Sequence, residues 1–148
     1  MFEPTAAAAW IDATLRGSAI LPTLGITDPD KQVFRQNSYG DKPPELFINY
    51  QLQTAEEDFK LLRQLGERLW SPQLWLITVT QQTRTLDEVT PIAHEIDNLF
   101  NRPSRDGLPE TIQAATRIKP FMQPTLEQGR RYERLGGLYR LLVRVPQS

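Results

Sequence analysis

The sequence predicts a single α/β (α+β) domain, a mixed, mainly antiparallel sheet with helices packed on it. Three observations predict it. Leu74-Trp75-Leu76-Ile77-Thr78-Val79-Thr80 reads as a strand. Thr85 to Asn101 reads as an amphipathic helix, with Val89, Ile92, Ala93, Ile96, Leu99 and Phe100 along one face. The link between them, Gln81-Gln82-Thr83-Arg84, is short and polar, so the helix packs back onto the strand that feeds it. In this unit Ile77, Val79, Ile96 and Leu99 are expected to bury against one another. Nothing in it is chemically reactive. The chain of 148 residues is long enough for one domain with a sizeable core.

The other elements are laid around that unit. Thr5 to Arg16 is predicted helical: Thr5 can cap it, the alanines favour it, and Gly17 can end it. Its apolar stripe is Trp10, Ile11, Thr14 and Leu15. Leu21 to Asp30 reads as a loop, and Lys31 to Arg35 as a short strand around Val33-Phe34. Gln36 to Pro44 is turn-rich, with Tyr39 exposed in it. Glu45 to Gln53 alternates Leu46, Ile48, Tyr50 and Leu52 with polar or outward positions, the period of a strand.

Thr54 to Trp70 carries two signals. Thr54-Ala55-Glu56-Glu57 is a capping-box pattern, and Phe59, Leu62, Leu65 and Leu69 follow at helical spacing, which favours a helix over the first part. A long β-hairpin arm leading into the strand at Leu74 is the competing reading. Pro91 falls inside the predicted helix at Thr85–Asn101. Either it kinks that helix, or the helix restarts with Thr90 as cap and Pro91 at its first position. Asn101 to Glu110 reads as loop, Thr111 to Lys119 as a strand, and Pro120 to Gln128 as a wide connecting loop. Leu138 to Val145, after Gly136-Gly137, is a final strand antiparallel to the previous one.

Composition narrows the function classes. A net charge of −1 gives no global attraction to nucleic acid or membrane. With no cysteine, disulfides and thiolate metal sites are excluded. No apolar run reaches the roughly 20 residues that span a bilayer. The N-terminus, Met1-Phe2-Glu3-Pro4, is unlike a basic signal peptide, so a soluble intracellular protein is expected. Twelve prolines punctuate several ordered loops.

Chemistry-bearing constellations are sparse. His94 stands off the apolar stripe of its helix, with only Asp97 and Asn98 at helical spacing, and reads as a solvated surface residue. The acids at Glu56-Glu57-Asp58 and at Asp28 and Asp30 read as helix-start or loop residues; the second group lacks the ligand number of a Ca²⁺ site. No P-loop, dinucleotide fingerprint or nucleophile elbow is present. No enzyme activity, metal or cofactor is expected.

Charge is unevenly placed. From Lys119 onward, Lys119, Arg130, Arg131, Arg134, Arg140 and Arg144 face only Glu127 and Glu133, so this part carries +4 and the preceding part −5. Arg140 and Arg144 share a strand face because their separation is even. Three readings stand side by side: a subunit contact, a DNA phosphate track, or the solvated face of an edge strand.

The order of elements resembles the tail terminator (tail completion) proteins of tailed bacteriophages. The similar features are the helix at Ala6–Leu15, the short strand at Val33-Phe34 and the proline-led strand Pro44-Glu45-Leu46-Phe47-Ile48-Asn49-Tyr50. They continue with the strand-helix unit from Leu76 to Leu99 and the late strand Leu138-Tyr139-Arg140-Leu141-Leu142-Val143-Arg144-Val145. Thr54 to Trp70 departs from the pattern, since relatives run an extended connection there. The resemblance implies a structural virion protein of the tail and neck, assembled in the host cytoplasm. It implies a ring, expected to be a homohexamer, that caps the tail tube, stops its polymerisation and joins it to the head-tail connector. Its partners would be copies of itself, the tail tube protein and the connector protein, with no membrane and no cofactor, and with DNA only passing through the ring lumen. Arg130, Arg131 and Arg134 would lie in the subunit interface or docking face, and Tyr39, Phe121 and Met122 would supply apolar surface to neighbours. Another phage neck or connector protein, and a nucleic-acid-associated module using the C-terminal arginines, are the alternatives.

Overall fold

The computed structural model describes residues 5–36, 44–55, 70–82, 86–127 and 130–144. Helix α1 (Thr5–Arg16) opens the chain, followed by a 3₁₀ turn at Leu21–Leu24 and the single-turn helix α2 (Pro29–Gln32). Strands β1 (Val33–Arg35), β2 (Leu46–Ala55) and β3 (Trp70–Gln81) come next. Helix α3 (Leu86–Phe100), a second 3₁₀ turn at Arg105–Gly107, and strands β4 (Ile112–Glu127) and β5 (Arg130–Arg144) complete it. The strands form one sheet in the order β1-β2-β3-β5-β4. Among the described strands β1 and β2 pair in parallel, and the other neighbours are antiparallel.

The expected fold class is the one observed. α1 has the expected bounds because its apolar positions recur at helical spacing: Ala7, Ala8, Ile11 and Leu15 are buried, and Trp10 packs against the core from its edge. α3 buries Val89, Ile92, Ile96 and Phe100 on the same side of the sheet. Each such side chain contributes roughly 1.5–3 kcal/mol by leaving water. Leu99 is only partly buried, so the expected quartet is corrected: Ile77, Val79 and Ile96 are core, and Phe100 takes the place given to Leu99. α3 runs unbroken through Pro91. The missing amide costs a bond to the carbonyl of Asp87, which lies in the exposed first turn where water substitutes.

Several boundaries differ from the sequence reading. Thr54 and Ala55, expected to start a helix, extend β2 and pair with Leu74 and Gln73. Trp70 likewise belongs to β3, opposite Arg144. The rest of that segment, 56–69, lies outside the described residues. Leu21 to Asp30, expected as loop, holds the 3₁₀ turn and the start of α2, which runs on to Gln32, so the strand expected from Lys31 begins at Val33. Pro120 to Gln128, also expected as loop, continues β4 up to Glu127. The strand survives Pro120 and Pro124 because β4 is the edge of the sheet, where an amide facing outward can be lost. The wide connection becomes a hairpin with two residues between Glu127 and Arg130. β5 is an inner strand, so the edge-strand reading of its arginines does not hold.

Two similar polar clamps hold the helices on the sheet. Tyr50 on β2 donates to Asp12 of α1 at 3.0 Å, and Asp12 in turn accepts from Arg16 at 2.8 Å. Tyr139 on β5 donates to Asp97 of α3 at 3.2 Å, and Arg117 of β4 pairs with the same carboxylate at 3.3 Å. Burial, and then the neighbouring Asp12, push the Tyr50 phenol up to about 12 from 10.0. Burial and then Asp97 raise Tyr139 in the same direction. Folding therefore favours the neutral phenols over their unfolded counterparts. That contribution is complete below pH 10.0 and is lost as the pH rises through about 12. Urea midpoints measured in steps across that window are expected to fall, and to fall less steeply in Tyr50→Phe and Tyr139→Phe. Identical slopes in parent and variants would contradict the clamps.

Candidate assembly surface

α1 and α3 cover one face of the sheet, the side of Ile48, Tyr50, Trp75, Ile77, Val79, Tyr139, Leu141 and Val143. The alternation of each strand sends the intervening residues to the other face. At the β2–β3 side of that second face Phe47, Asn49, Thr78 and Thr80 are buried, so it is more than a solvated back. An aromatic row crosses it. Phe34 meets Phe47 edge-on at 5.9 Å between ring centroids, and Phe47 meets Tyr132 at 6.4 Å.

Two of the six residues expected at the surface meet here. Phe121 pairs across to Gly136, and Arg134 to Gln123, so both side chains stand on this second face two positions apart. The Arg134 guanidinium lies 5.4 Å from the centre of the Phe121 ring, and its Nη2 donates to Thr78 Oγ1 at 3.2 Å. A cation over a ring face is attracted by the ring quadrupole, about 0.5–1 kcal/mol where water reaches it. Gly136 makes this close packing possible. A Cβ there would fall on the carbonyl oxygen of Ile77 and within 2.7 Å of Thr78 Cα.

Met122 is 70% exposed on β4, and the nearby Ile118 is 48% exposed beside a bulge between Arg117 and Lys119. Both Phe121 and Met122 were expected in a loop; they stand instead on an edge strand, where the surface they offer has a fixed shape. Arg130 and Arg131 occupy the first two positions of β5, opposite Glu127 and Leu126, with their side chains outside the described residues. Tyr39 lies outside them altogether. The sequence reading missed Ile118, which closed the apolar stripe of a predicted strand, and Tyr132, whose burial depends on β5 beginning eight residues earlier than its hydrophobic run.

The described residues offer apolar and cationic binding surface. Among them no three His, Cys, Asp or Glu side chains converge. His94 is exposed on the outer side of α3. An open cavity of about 200 Å³ lies beside the loop before β4, lined by Trp70, Arg105, Leu108 and Glu110 among others, and it holds one carboxylate and one guanidinium. No described helix is long and apolar enough to cross a membrane.

No protein-family model matches this sequence, and no curated protein does. The fold is similar to that of a chain in the solved structure titled "Virion of native gene transfer agent (GTA) particle". The TM-score is 0.62 at 14% sequence identity, covering 91% of this chain and 92% of that one. At this identity the likeness is one of fold, and it extends over nearly the whole of both chains.

Proposed function

We propose that this chain is a structural virion protein, and more specifically a tail terminator whose subunits close into a ring, expected to be a hexamer, on the end of the tail tube. The observation that carries the reading is the fold shared almost end to end with a chain of a gene transfer agent virion. The element order adds to it by resembling tail terminators. In this role the ring stops tube growth and presents a face to the head-tail connector, work done by shape and contact. The surface supports this with apolar groups fixed on an edge strand and with positive charge concentrated in the β4–β5 hairpin. Opposite charges kept apart on one subunit suit a head-to-tail contact, which closes into a ring when the rotation per subunit permits.

Arg130 and Arg131 test this reading. They lie in the part of the β4–β5 hairpin beyond Gln81↔Glu133, where the described pairing of β3 with β5 ends. Truncating one partner of an interfacial charge pair typically costs about 2–5 kcal/mol when the pair is desolvated, and changes mainly the association rate when it lies on the rim. Arg130→Glu/Arg131→Glu is expected to loosen the ring while circular dichroism stays that of the parent. Rings and tube capping identical to the parent's would leave these arginines as solvated groups. A monomeric parent that binds duplex DNA with a steep salt dependence would move the function to nucleic acid.

A further inference from the structure

We propose that the β4–β5 half of the second sheet face of one copy is the docking surface for the outer side of α3 in the next copy, packed front to back. The proposal rests on the ring reading and specifies its contact.

The docking surface is laid out by strand register. Leu76, Leu138 and Lys119 stand abreast across β3, β5 and β4, and Leu74, Arg140 and Thr116 form the adjacent row. Leu142 and Arg144 continue the same face of β5. Lys119 and Arg140 are exposed; Leu74, Leu138, Leu142 and Arg144 are half-exposed. The helices lie on the opposite face, so this patch is an apolar floor flanked by cations. Among the described residues Lys119, Arg140 and Arg144 make no ion pair.

The occupant follows from charge. β4 and β5 together hold seven Lys and Arg against two Glu. α3 holds four carboxylates, Asp87, Glu88, Glu95 and Asp97, and no Lys or Arg. Glu95 accepts from Ser18 and Asp97 is held in its clamp, but Asp87 and Glu88 are exposed and have no ion pair among the described residues. Asp87, Pro91, His94 and Asn98 form the exposed stripe of α3, directed away from the sheet. The two complementary surfaces therefore lie on opposite layers of the same subunit. They cannot meet within one chain. A two-fold contact of the sheet face with itself would set cation against cation, whereas translation and rotation to a second copy sets cation against carboxylate in every contact.

The test uses two variants of the full chain, Asp87→Lys/Glu88→Lys and Lys119→Glu/Arg140→Glu, followed by sedimentation velocity, with circular dichroism confirming the fold of each. Alone, each variant is expected to dissociate at concentrations roughly tenfold or more above the parent. Mixed in equal amounts, they are expected to co-assemble, because every contact between unlike variants regains opposite charges. Variants that assemble alone as the parent does would overturn this contact while leaving the ring in place. Failure of the mixture to reassemble, with both partners folded, would overturn it as well. A parent that stays monomeric would overturn the ring reading and this contact with it.

Discussion

Phe100→Ala is expected to lower the free energy of unfolding by about 3–5 kcal/mol, among the largest losses available from a single side chain here. Phe100 is fully buried at the last turn of α3. Its ring is met edge-on by Trp10 of α1 at 5.4 Å and by Tyr139 of β5 at 6.0 Å. Truncation would remove a ring whose contacts link α1, α3 and β5. The space left is bounded by rigid rings and by Tyr139, which is fixed through Asp97, so collapse around it is limited. Leu99→Ala, one residue earlier but only partly buried, is expected to cost clearly less. Chemical denaturation of the two variants side by side checks the ranking; equal losses would mean that α3 is rotated relative to this packing.

Gly136→Ala is expected to be as damaging, at about 3 kcal/mol or more, although it adds a single methyl. Overpacking in a core usually costs about 1–3 kcal/mol because neighbouring side chains move aside. Here the obstacles are backbone atoms of β3, the Ile77 carbonyl and Thr78 Cα, which are held by pairing on both sides. Relief requires β5 to draw away from β3, which would break ladder bonds and displace Arg134 and Phe121. Gly137→Ala serves as the comparison, since the atoms nearest an added Cβ belong to the Tyr139 side chain, at 3.0 Å, and not to backbone. A Gly136→Ala protein within about half a kcal/mol of the parent would contradict the close approach of these strands.

Local periodicity explains why much of the fold was legible. α1 and the β3–α3 unit carry their burial pattern in the chain itself, through Ile11 and Leu15, and through Ile77, Val79, Ile92 and Ile96. Pro120 and Pro124 read as loop residues in the sequence, yet β4 runs through both as the outer strand of the sheet; edge position is a property of the sheet, not of the segment. The glycine pair was read as punctuation before a strand, whereas at Gly136 it marks the closest approach of two strands. The Tyr50–Asp12 and Tyr139–Asp97 clamps join residues 38 and 42 positions apart and leave no local trace. Of the expected surface, the structure brings Arg134 and Phe121 together and exposes Met122, because register places them so.

The proposed role requires this subunit to work as a closed ring. Size-exclusion chromatography with light scattering on the purified protein, followed by negative-stain images of the peak, tests it most directly. A single assembly of several copies is expected, a hexamer by resemblance, seen as closed annuli with a central opening. A species of one-chain mass at every concentration and salt tested, with no annuli in the images, would contradict it.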